Sequence, residues 1–309
     1  MPAFSSPRTL IKPVPSAPPQ ARPRLPEWLR VRLPTSNGFG QTRSLLEELK
    51  LNTVCQSARC PNHWECWSKG TATFMIGGER CTRACAFCAV ITAKPLPLEE
   101  DEPDRVAEAT RRMNLRHLVI TGVARDDLPD GGANHFRCTI ERVRALNPGI
   151  IIEVLTSDFA GSAEALEEIF LGRPEVFNHN IETVRRLTPK VRSRATYEGS
   201  LEVLRRMKGL AGSAILTKSG LMLGLGETEE ELFETLQDLR AVGCDILTLG
   251  QYLQPSLHHL PVVEYISPQR FEAFGLRAKE MGFSHVSSAP MVRSSYHADE
   301  LQIPSGAVK

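Results

Sequence analysis

The sequence predicts an α/β fold built on a parallel sheet, and three observations support this prediction. Short apolar segments recur along the chain, with helical patterns between them. These segments are apolar throughout, which is typical of parallel strands that are buried on both faces. Polar residues follow several of them, where the carboxyl ends of parallel strands converge on a ligand site. The pattern fits an α/β barrel or a doubly wound sheet.

Six strand-helix units are predicted in chain order. The strands span residues 73–76, 117–121, 150–156, 176–180, 213–223 and 246–250. Helical periodicity predicts helices over residues 104–114, 135–146, 163–170, 181–187, 199–208 and 228–242, followed by a last helix over 268–281. Six units are fewer than the eight of a closed TIM barrel, so we expect an incomplete, TIM-like (β/α)6 barrel.

The segments that flank this barrel differ from it in composition. Residues 1–34 hold nine prolines, six Lys or Arg and one acidic residue, Glu27. Proline removes backbone donors and interrupts helices, so this segment is expected to be an extended arm. An N-terminal extension over 35–70 begins with a short helix at 42–51 and carries the first cysteine group. The barrel then occupies 71–283, and a C-terminal tail occupies 284–309.

Charge and hydropathy limit the possible partners. Lys and Arg number 37 against 36 Asp and Glu, which gives a formal net charge of +1. This balance supplies no overall field for binding nucleic acid or an anionic membrane. No segment approaches the roughly 18 consecutive apolar residues of a membrane span, and the N-terminus lacks the apolar core of a secretory signal. We therefore expect a cytoplasmic protein that binds neither nucleic acid nor a membrane.

The cysteines carry the strongest chemical signal. Six of the eight lie within the 34 residues from Cys55 to Cys88. Such density in a small secreted domain would indicate disulfides, but a chain of 309 residues can bury a core without them. Metal or redox chemistry is therefore the better interpretation.

One group has the spacing Cys81-x3-Cys85-x2-Cys88 and follows the first predicted strand. Three thiolates on one loop can bind three irons of a 4Fe-4S cluster, which normally takes four ligands. The fourth iron is then open to a small molecule. A structural zinc site is the alternative, although zinc prefers four protein ligands in such sites.

The other group, Cys55-x4-Cys60-x5-Cys66, also leaves one ligand to be found. On spacing alone, His63 or another side chain completes the set. A zinc site completed by His63 is therefore the alternative to a second cluster.

The loop that carries Cys81, Cys85 and Cys88, with Phe87 before its last cysteine, resembles the signature of the radical S-adenosylmethionine (radical SAM) superfamily. The resemblance implies that the open iron binds the amino and carboxylate groups of SAM. It also implies that an electron from the cluster cleaves SAM to methionine and a 5′-deoxyadenosyl radical. The implied fold is the partial barrel of this superfamily, with N- and C-terminal extensions.

The group at Cys55, Cys60 and Cys66 precedes the radical SAM loop in the chain, and this order makes the chain similar to the lipoyl synthase family. Further matching strings lie at residues 60–67, 125–132, 177–180, 218–226, 247–255 and 293–298. The resemblance implies that both cysteine groups bind 4Fe-4S clusters. It also implies that Ser295 is the fourth ligand of the cluster held by Cys55, Cys60 and Cys66, which we call the auxiliary cluster. The residues alone favour His63 for that position. The arm over 1–34 matches nothing in the family.

Sulfur insertion is the activity that the resemblance implies. The substrate would be an octanoyl group on a lysine of a lipoyl-carrier domain, in a 2-oxoacid dehydrogenase acyltransferase subunit or the glycine cleavage carrier protein. Sulfur would enter at carbons 6 and 8, and the electron donor would be ferredoxin or flavodoxin. Nothing in the chain resembles a persulfide-transfer domain, so the auxiliary cluster is expected to supply the sulfur. A radical SAM enzyme resembling biotin synthase and an electron carrier are the rival interpretations.

Three polar residues are candidate SAM contacts. Asn178 and Asn180 stand at alternate positions where a predicted strand ends, so both amides are expected to face the site and to bond SAM. Arg192 matches an arginine of the family and is expected to pair with a carboxylate through two hydrogen bonds.

Overall fold

A parallel sheet forms the centre of the computed structural model, which describes residues 24–30 and 38–296. Seven strands make up this sheet in the described residues, and we label them β1 to β7: Thr73–Ile76, His117–Gly122, Ile151–Leu155, Val176–Asn178, Leu216–Leu223, Ile246–Gln251 and His285–Ser288. Each strand pairs in parallel with its neighbours in chain order. Within the described ranges, β1 and β7 do not pair with each other, so the sheet is open. The prediction of an α/β fold with an incomplete barrel is confirmed.

The sheet has one strand more than predicted. The additional strand, β7, pairs only with β6 within the described part of the chain. Its sequence is His285, Val286, Ser287 and Ser288, and none of the four is fully buried. This strand therefore lacks the continuous apolar run by which the inner strands were predicted.

Helices connect the strands and cover the outside of the sheet. Those in the described residues span Gly38–Glu48, Val54–Ser57, His63–Ser68, Glu102–Arg112, Ala133–Leu146, Ala163–Gly172, Thr188–Val191, Tyr197–Ala211, Glu229–Ala241 and Pro268–Glu280. Five of them begin at a cap whose side-chain oxygen accepts a bond from the backbone N–H three residues on: Thr53, Ser162, Thr196, Thr228 and Ser267. None of the helices in the described ranges combines the length and apolarity that a bilayer crossing needs.

The helix predicted over residues 181–187 is wrong. Glu182 instead forms a β-bridge with Leu221, and its φ is +70°. Its N–H donates to the Gly220 carbonyl at 3.0 Å, and its own carbonyl accepts from the Met222 N–H at 2.9 Å. The apolar residues Ile181 and Val184 are buried in this loop. Their spacing therefore reflects burial beside β5 rather than a helix.

Strand β2 illustrates how the fold positions a site. Leu118 and Ile120 are fully buried on the side of the strand that meets the helices. Side chains alternate along a strand, so Val119 and Thr121 point to the concave face of the sheet. Val119 borders one cavity on that face and Thr121 borders another. The concave face therefore carries the candidate site.

The flanking segments are described in part. Of the arm predicted over 1–34, the structure describes residues 24–30, which contain a short 3-10 turn at Glu27–Leu29. The rest of the arm lies outside the described residues. So do residues 297–309 of the predicted tail, which include the last two residues of the string at 293–298.

Candidate active site

A cavity of about 480 Å³ opens at the carboxyl ends of the strands. Cys81, Cys85 and Cys88 line it, and so do Cys55 and Cys60. The two cysteine groups, which are separate in sequence, therefore border one space. All eight cysteines lie among the described residues and are free.

Contacts from the helix Thr188–Val191 and from a loop at residues 259–260 hold the loop that carries the later cysteine group. The Ala86 N–H donates to the Val191 carbonyl at 2.9 Å, and the Leu260 N–H donates to the Ala86 carbonyl at 3.1 Å. The His259 ring, through Nε2, lies 3.0 Å from the Cys88 carbonyl oxygen. The loop is therefore fixed on both sides.

Arg83 anchors the same loop to the sheet. Its guanidinium donates to both carboxylate oxygens of Asp126, at 2.7 and 2.9 Å, and contacts Asp158 at 2.6 Å. Asp126 follows β2 and Asp158 follows β3, so one side chain joins the cysteine loop to two strand ends. The hydrogen bond from Arg83 lowers the pKa of the Asp126 carboxyl, which therefore stays charged.

A second, smaller cavity of about 60 Å³ adjoins the first and shares some of its lining residues. Cys55, Cys60 and Cys66 line it together with Ser295. Ser295 lies in residues 291–296, which we call the C-terminal strap because they run from the end of β7 to the N-terminal extension. Asn62 holds the strap by donating to the Met291 carbonyl at 2.7 Å.

Burial governs the protonation of these thiols. It raises the pKa of Cys55 to about 11, of Cys66 to about 12 and of Cys88 to about 11. A thiol ligand binds iron as its thiolate, so cluster binding at these positions has to release protons. Among the described residues, no three of the His, Cys, Asp and Glu side chains converge closely enough to hold a single metal ion.

The structure places Ser295, and not His63, beside the earlier cysteine group. The His63 ring packs against Phe39 at 5.2 Å and Trp67 at 5.0 Å, measured between ring centroids. Burial lowers the pKa of His63, so the ring is neutral. Its position in this aromatic cluster explains why a histidine stands within the motif without bordering the smaller cavity.

Two of the three polar candidates for SAM contact line the larger cavity. Asn180 and Arg192 border it, as does Phe87. Asn178 lies elsewhere, because its buried side-chain amide donates to Glu153 at 3.0 Å beside a buried Lys218–Glu153 ion pair. Strand β4 ends at Asn178, so the alternation expected to align the two asparagines does not continue to Asn180.

Sequence reasoning missed several charged residues that border the larger cavity, including Glu182 and Arg293. Glu182 is half-buried there and accepts a bond from the Asn180 amide at 3.2 Å, and its partial burial raises the pKa of its carboxyl. The helix predicted at 181–187 concealed it. Arg293 lines both cavities and donates to the Val292 carbonyl at 2.6 Å. The sequence signal that could have identified Arg293 is its position directly before Ser294 and Ser295.

Comparison with known proteins identifies the family. A model described as the radical SAM superfamily matches residues 75–239, and a model described as the N-terminal domain of lipoyl synthase matches residues 14–60. A lipoyl synthase from Parabacteroides distasonis is 51% identical over 277 residues, which cover 90% of this chain and 98% of the relative. The chain belongs to the lipoyl synthase family.

A further relative agrees with this assignment, and a solved structure shares the fold. A lipoyl synthase from Staphylococcus haemolyticus is 55% identical over 278 residues, which are 90% of each chain. The crystal structure of methylornithine synthase has the same fold, with a TM-score of 0.54 at 15% identity over 81% of this chain and 75% of that one. The match at 14–60 shows that the expectation of an arm without family resemblance is wrong for residues 14–34.

Membership in the lipoyl synthase family defines the type of enzyme. The chain is a radical SAM sulfur-inserting enzyme, and it uses SAM and two 4Fe-4S clusters. The two donor sets fit this requirement. One offers three thiols beside a large cavity, and the other offers three thiols and a hydroxyl around a small one.

Proposed function

We propose that this enzyme inserts sulfur at carbons 6 and 8 of an octanoyl group on a lipoyl-carrier domain, and that the auxiliary cluster supplies the sulfur. One observation carries the proposal. Both cysteine groups border the same cavity, which Cys81, Cys85 and Cys88 of the later group line together with Cys55 and Cys60 of the earlier one. A substrate tail in that cavity would therefore be near both the position of radical formation and the source of sulfur.

Cys81, Cys85 and Cys88 hold the cluster that binds SAM in this proposal. Their loop supplies three ligands and leaves one iron for the amino and carboxylate groups of SAM. Arg83 and the loop contacts around Ala86 keep the three thiols facing the cavity.

The SAM molecule itself is held by Asn180, Glu182 and Arg192. The Glu182 carboxylate and the Asn180 amide suit the hydroxyl groups of the SAM ribose, because they offer acceptors and donors side by side. One Arg192 nitrogen donates hydrogen bonds to the Ser200 hydroxyl at 2.7 Å and to the Asn180 carbonyl at 3.1 Å. Its other nitrogens are the donors for a carboxylate. Phe87 provides an apolar wall beside the cluster.

Cys55, Cys60, Cys66 and Ser295 hold the auxiliary cluster. Four protein ligands leave no iron for SAM, which suits a role other than radical formation. The Ser295 oxygen would be a harder donor than the three thiolates, so it would make this ligand set differ chemically from the other one.

The rest of the cavity suits an acyl chain. Its apolar lining comes from several strands and loops: Met75, Val123, Leu155, Leu221, Met222 and Leu253. When bound, the clusters and SAM would supply the 5′-deoxyadenosyl radical and the sulfur. A radical is required because no side-chain base can deprotonate an alkane carbon. The side chains of this chain orient the tail between the clusters and exclude water from the radical.

The remaining partners follow from this chemistry. Octanoylated carrier domains of 2-oxoacid dehydrogenase acyltransferase subunits and of the glycine cleavage carrier protein are the proposed substrates. Ferredoxin or flavodoxin is the proposed electron donor, because each transfers single electrons. We also propose a cytoplasmic location. We propose no nucleic-acid or membrane partner, and the net charge of +1 supports that part of the proposal.

Anaerobic reconstitution followed by iron and sulfide counting tests the proposal. Two clusters require about eight irons per chain. Turnover of an octanoyl-lysyl peptide should then yield the lipoyl product together with 5′-deoxyadenosine. A Cys138→Ala variant is the matched control, because Cys138 belongs to neither group and should leave the iron count unchanged. About four irons, or zinc in place of iron, would contradict the proposal.

A further inference from the structure

The C-terminal strap packs closely against the sheet at two glycines. A Cβ at Gly250 would lie 2.1 Å from the Val292 carbonyl oxygen, so a side chain there is incompatible with the strap. A Cβ at Gly220 would lie 2.9 Å from Asn180 Oδ1 and 3.2 Å from Ser294 Oγ. Gly220 is on β5 and Gly250 is on β6. The sheet is therefore shaped to receive the strap at this position.

Where the strap packs against these glycines, Ser294 and Asn180 form two reciprocal hydrogen bonds. Asn180 Nδ2 donates to Ser294 Oγ at 2.8 Å, and the Ser294 hydroxyl donates to Asn180 Oδ1 at 3.1 Å. The amide oxygen retains a second lone pair for a ligand in the cavity. Ser294 therefore fixes the orientation of the Asn180 amide while leaving it able to bind.

The next residue of the strap lies beside the earlier cysteine group. Ser295 lines both cavities, shares the smaller one with Cys55, Cys60 and Cys66, and accepts a hydrogen bond from Thr73 at 2.8 Å. One peptide unit therefore separates a residue that orients Asn180 from a residue beside the earlier cysteine group. Movement of Ser295 has to move Ser294 as well.

We propose that Ser294 is a positioning residue that couples SAM binding at Asn180 to ligation of the auxiliary cluster by Ser295. This inference rests on the proposed function. With Ser295 bound to iron, the strap is fixed and Ser294 orients the Asn180 amide for SAM. When Ser295 is released, Asn180 loses that partner and SAM is held less tightly. Coupling of two binding equilibria is reciprocal, so bound SAM must also strengthen ligation by Ser295.

A cycle of four proteins tests the coupling. SAM dissociation constants are measured anaerobically for wild type, Ser294→Ala, Cys66→Ala and the double variant, each loaded with the SAM cluster. Cys66 lines the smaller cavity but not the larger one, so its replacement removes the auxiliary cluster without touching SAM. Each single change should weaken SAM binding, by roughly 5-fold or more, and the double change should add little. Additive effects, or wild-type affinity in Cys66→Ala, would overturn the proposal.

A reciprocal measurement covers the case in which Cys66→Ala does not fold. Iron release from the auxiliary cluster to a chelator is timed with and without SAM. SAM should slow the release in wild type and in Ser287→Ala, an exposed serine of β7, but not in Ser294→Ala. Equal protection by SAM in all three proteins would overturn the coupling. If the wild type forms 5′-deoxyadenosine but SAM does not slow its iron release, this inference alone is wrong. If the wild type binds no SAM, the proposed function is wrong.

Discussion

The Thr73 hydroxyl donates a 2.8 Å hydrogen bond to the Ser295 hydroxyl oxygen, although 222 residues separate the two in the chain. Thr73 begins β1, and Ser295 lies in the C-terminal strap. Burial raises the pKa of the Cys55 thiol to about 11, and a hydrogen bond from the Thr73 backbone offsets part of that rise. One residue of the first strand therefore contacts two proposed ligands of the auxiliary cluster.

Replacing Thr73 with Val should weaken retention of the auxiliary cluster. Valine has nearly the same shape but no hydroxyl, and a hydrogen bond of this kind contributes about 1 kcal/mol. We expect iron to leave the auxiliary site roughly 5-fold faster in the presence of a chelator. Thr73→Ser keeps the donor and should release iron at the wild-type rate. Identical rates in Thr73→Val and wild type would show that the hydrogen bond does not position Ser295.

Gly250→Ala should displace the strap while leaving the barrel folded. The added methyl group would collide with the Val292 carbonyl, and overpacking of this kind costs about 1–3 kcal/mol. We expect loss of the auxiliary iron and of lipoyl product, with the SAM cluster retained. Gly209→Ala is the matched control, because no atom lies within 4 Å of its added Cβ. Full auxiliary iron in Gly250→Ala would contradict this role for the glycine.

Arg83→Met should destabilise the protein and disorder the SAM loop. The substitution leaves Asp126 and Asp158 largely buried without their cation, and breaking a buried ion pair costs about 3–5 kcal/mol. The midpoint of anaerobic urea unfolding should fall accordingly. Arg80→Met removes an exposed contact with Glu79 at 4.0 Å and should stay within about 1 kcal/mol of wild type. Equal midpoints for both variants would remove Arg83 as an anchor.

The two cysteine groups should be separable by substitution. Cys85→Ala should abolish formation of 5′-deoxyadenosine and leave about four irons in the auxiliary site. Cys66→Ala, assayed at saturating SAM, should still form 5′-deoxyadenosine but no lipoyl product. Persistent SAM cleavage in Cys85→Ala, measured by chromatography of the reaction, would reverse the assignment of the two groups.

Sequence patterns predicted the inner strands well because burial on both faces leaves an apolar run that is visible locally. Strand β7 has no such run, and neither does the loop around Glu182, where buried apolar residues occur at helical spacing without a helix. Both departures have one physical reason. Hydrogen bonding to a neighbouring strand, which is a property of the fold, decided the local structure.

The candidate site was predictable to different degrees. The spacing of Cys81, Cys85 and Cys88 favours a cluster without further information, because all three lie on one loop. The position of Ser295 depends on a contact between the two ends of the chain, so the residues alone favoured His63, which is nearby in sequence. Only the resemblance to the family supplied Ser295, and the structure places it beside the earlier cysteine group.

A single turnover with isotopically distinct sulfide tests the central claim most directly. The enzyme is reconstituted with heavy sulfide, freed of excess reagent, and allowed one turnover on an octanoyl-lysyl peptide with ordinary sulfide in solution. If the cluster held by Cys55, Cys60, Cys66 and Ser295 is the donor, mass spectrometry of the lipoyl product should find heavy sulfur at both carbons. Product that carries only the sulfur isotope of the solution would contradict the claim.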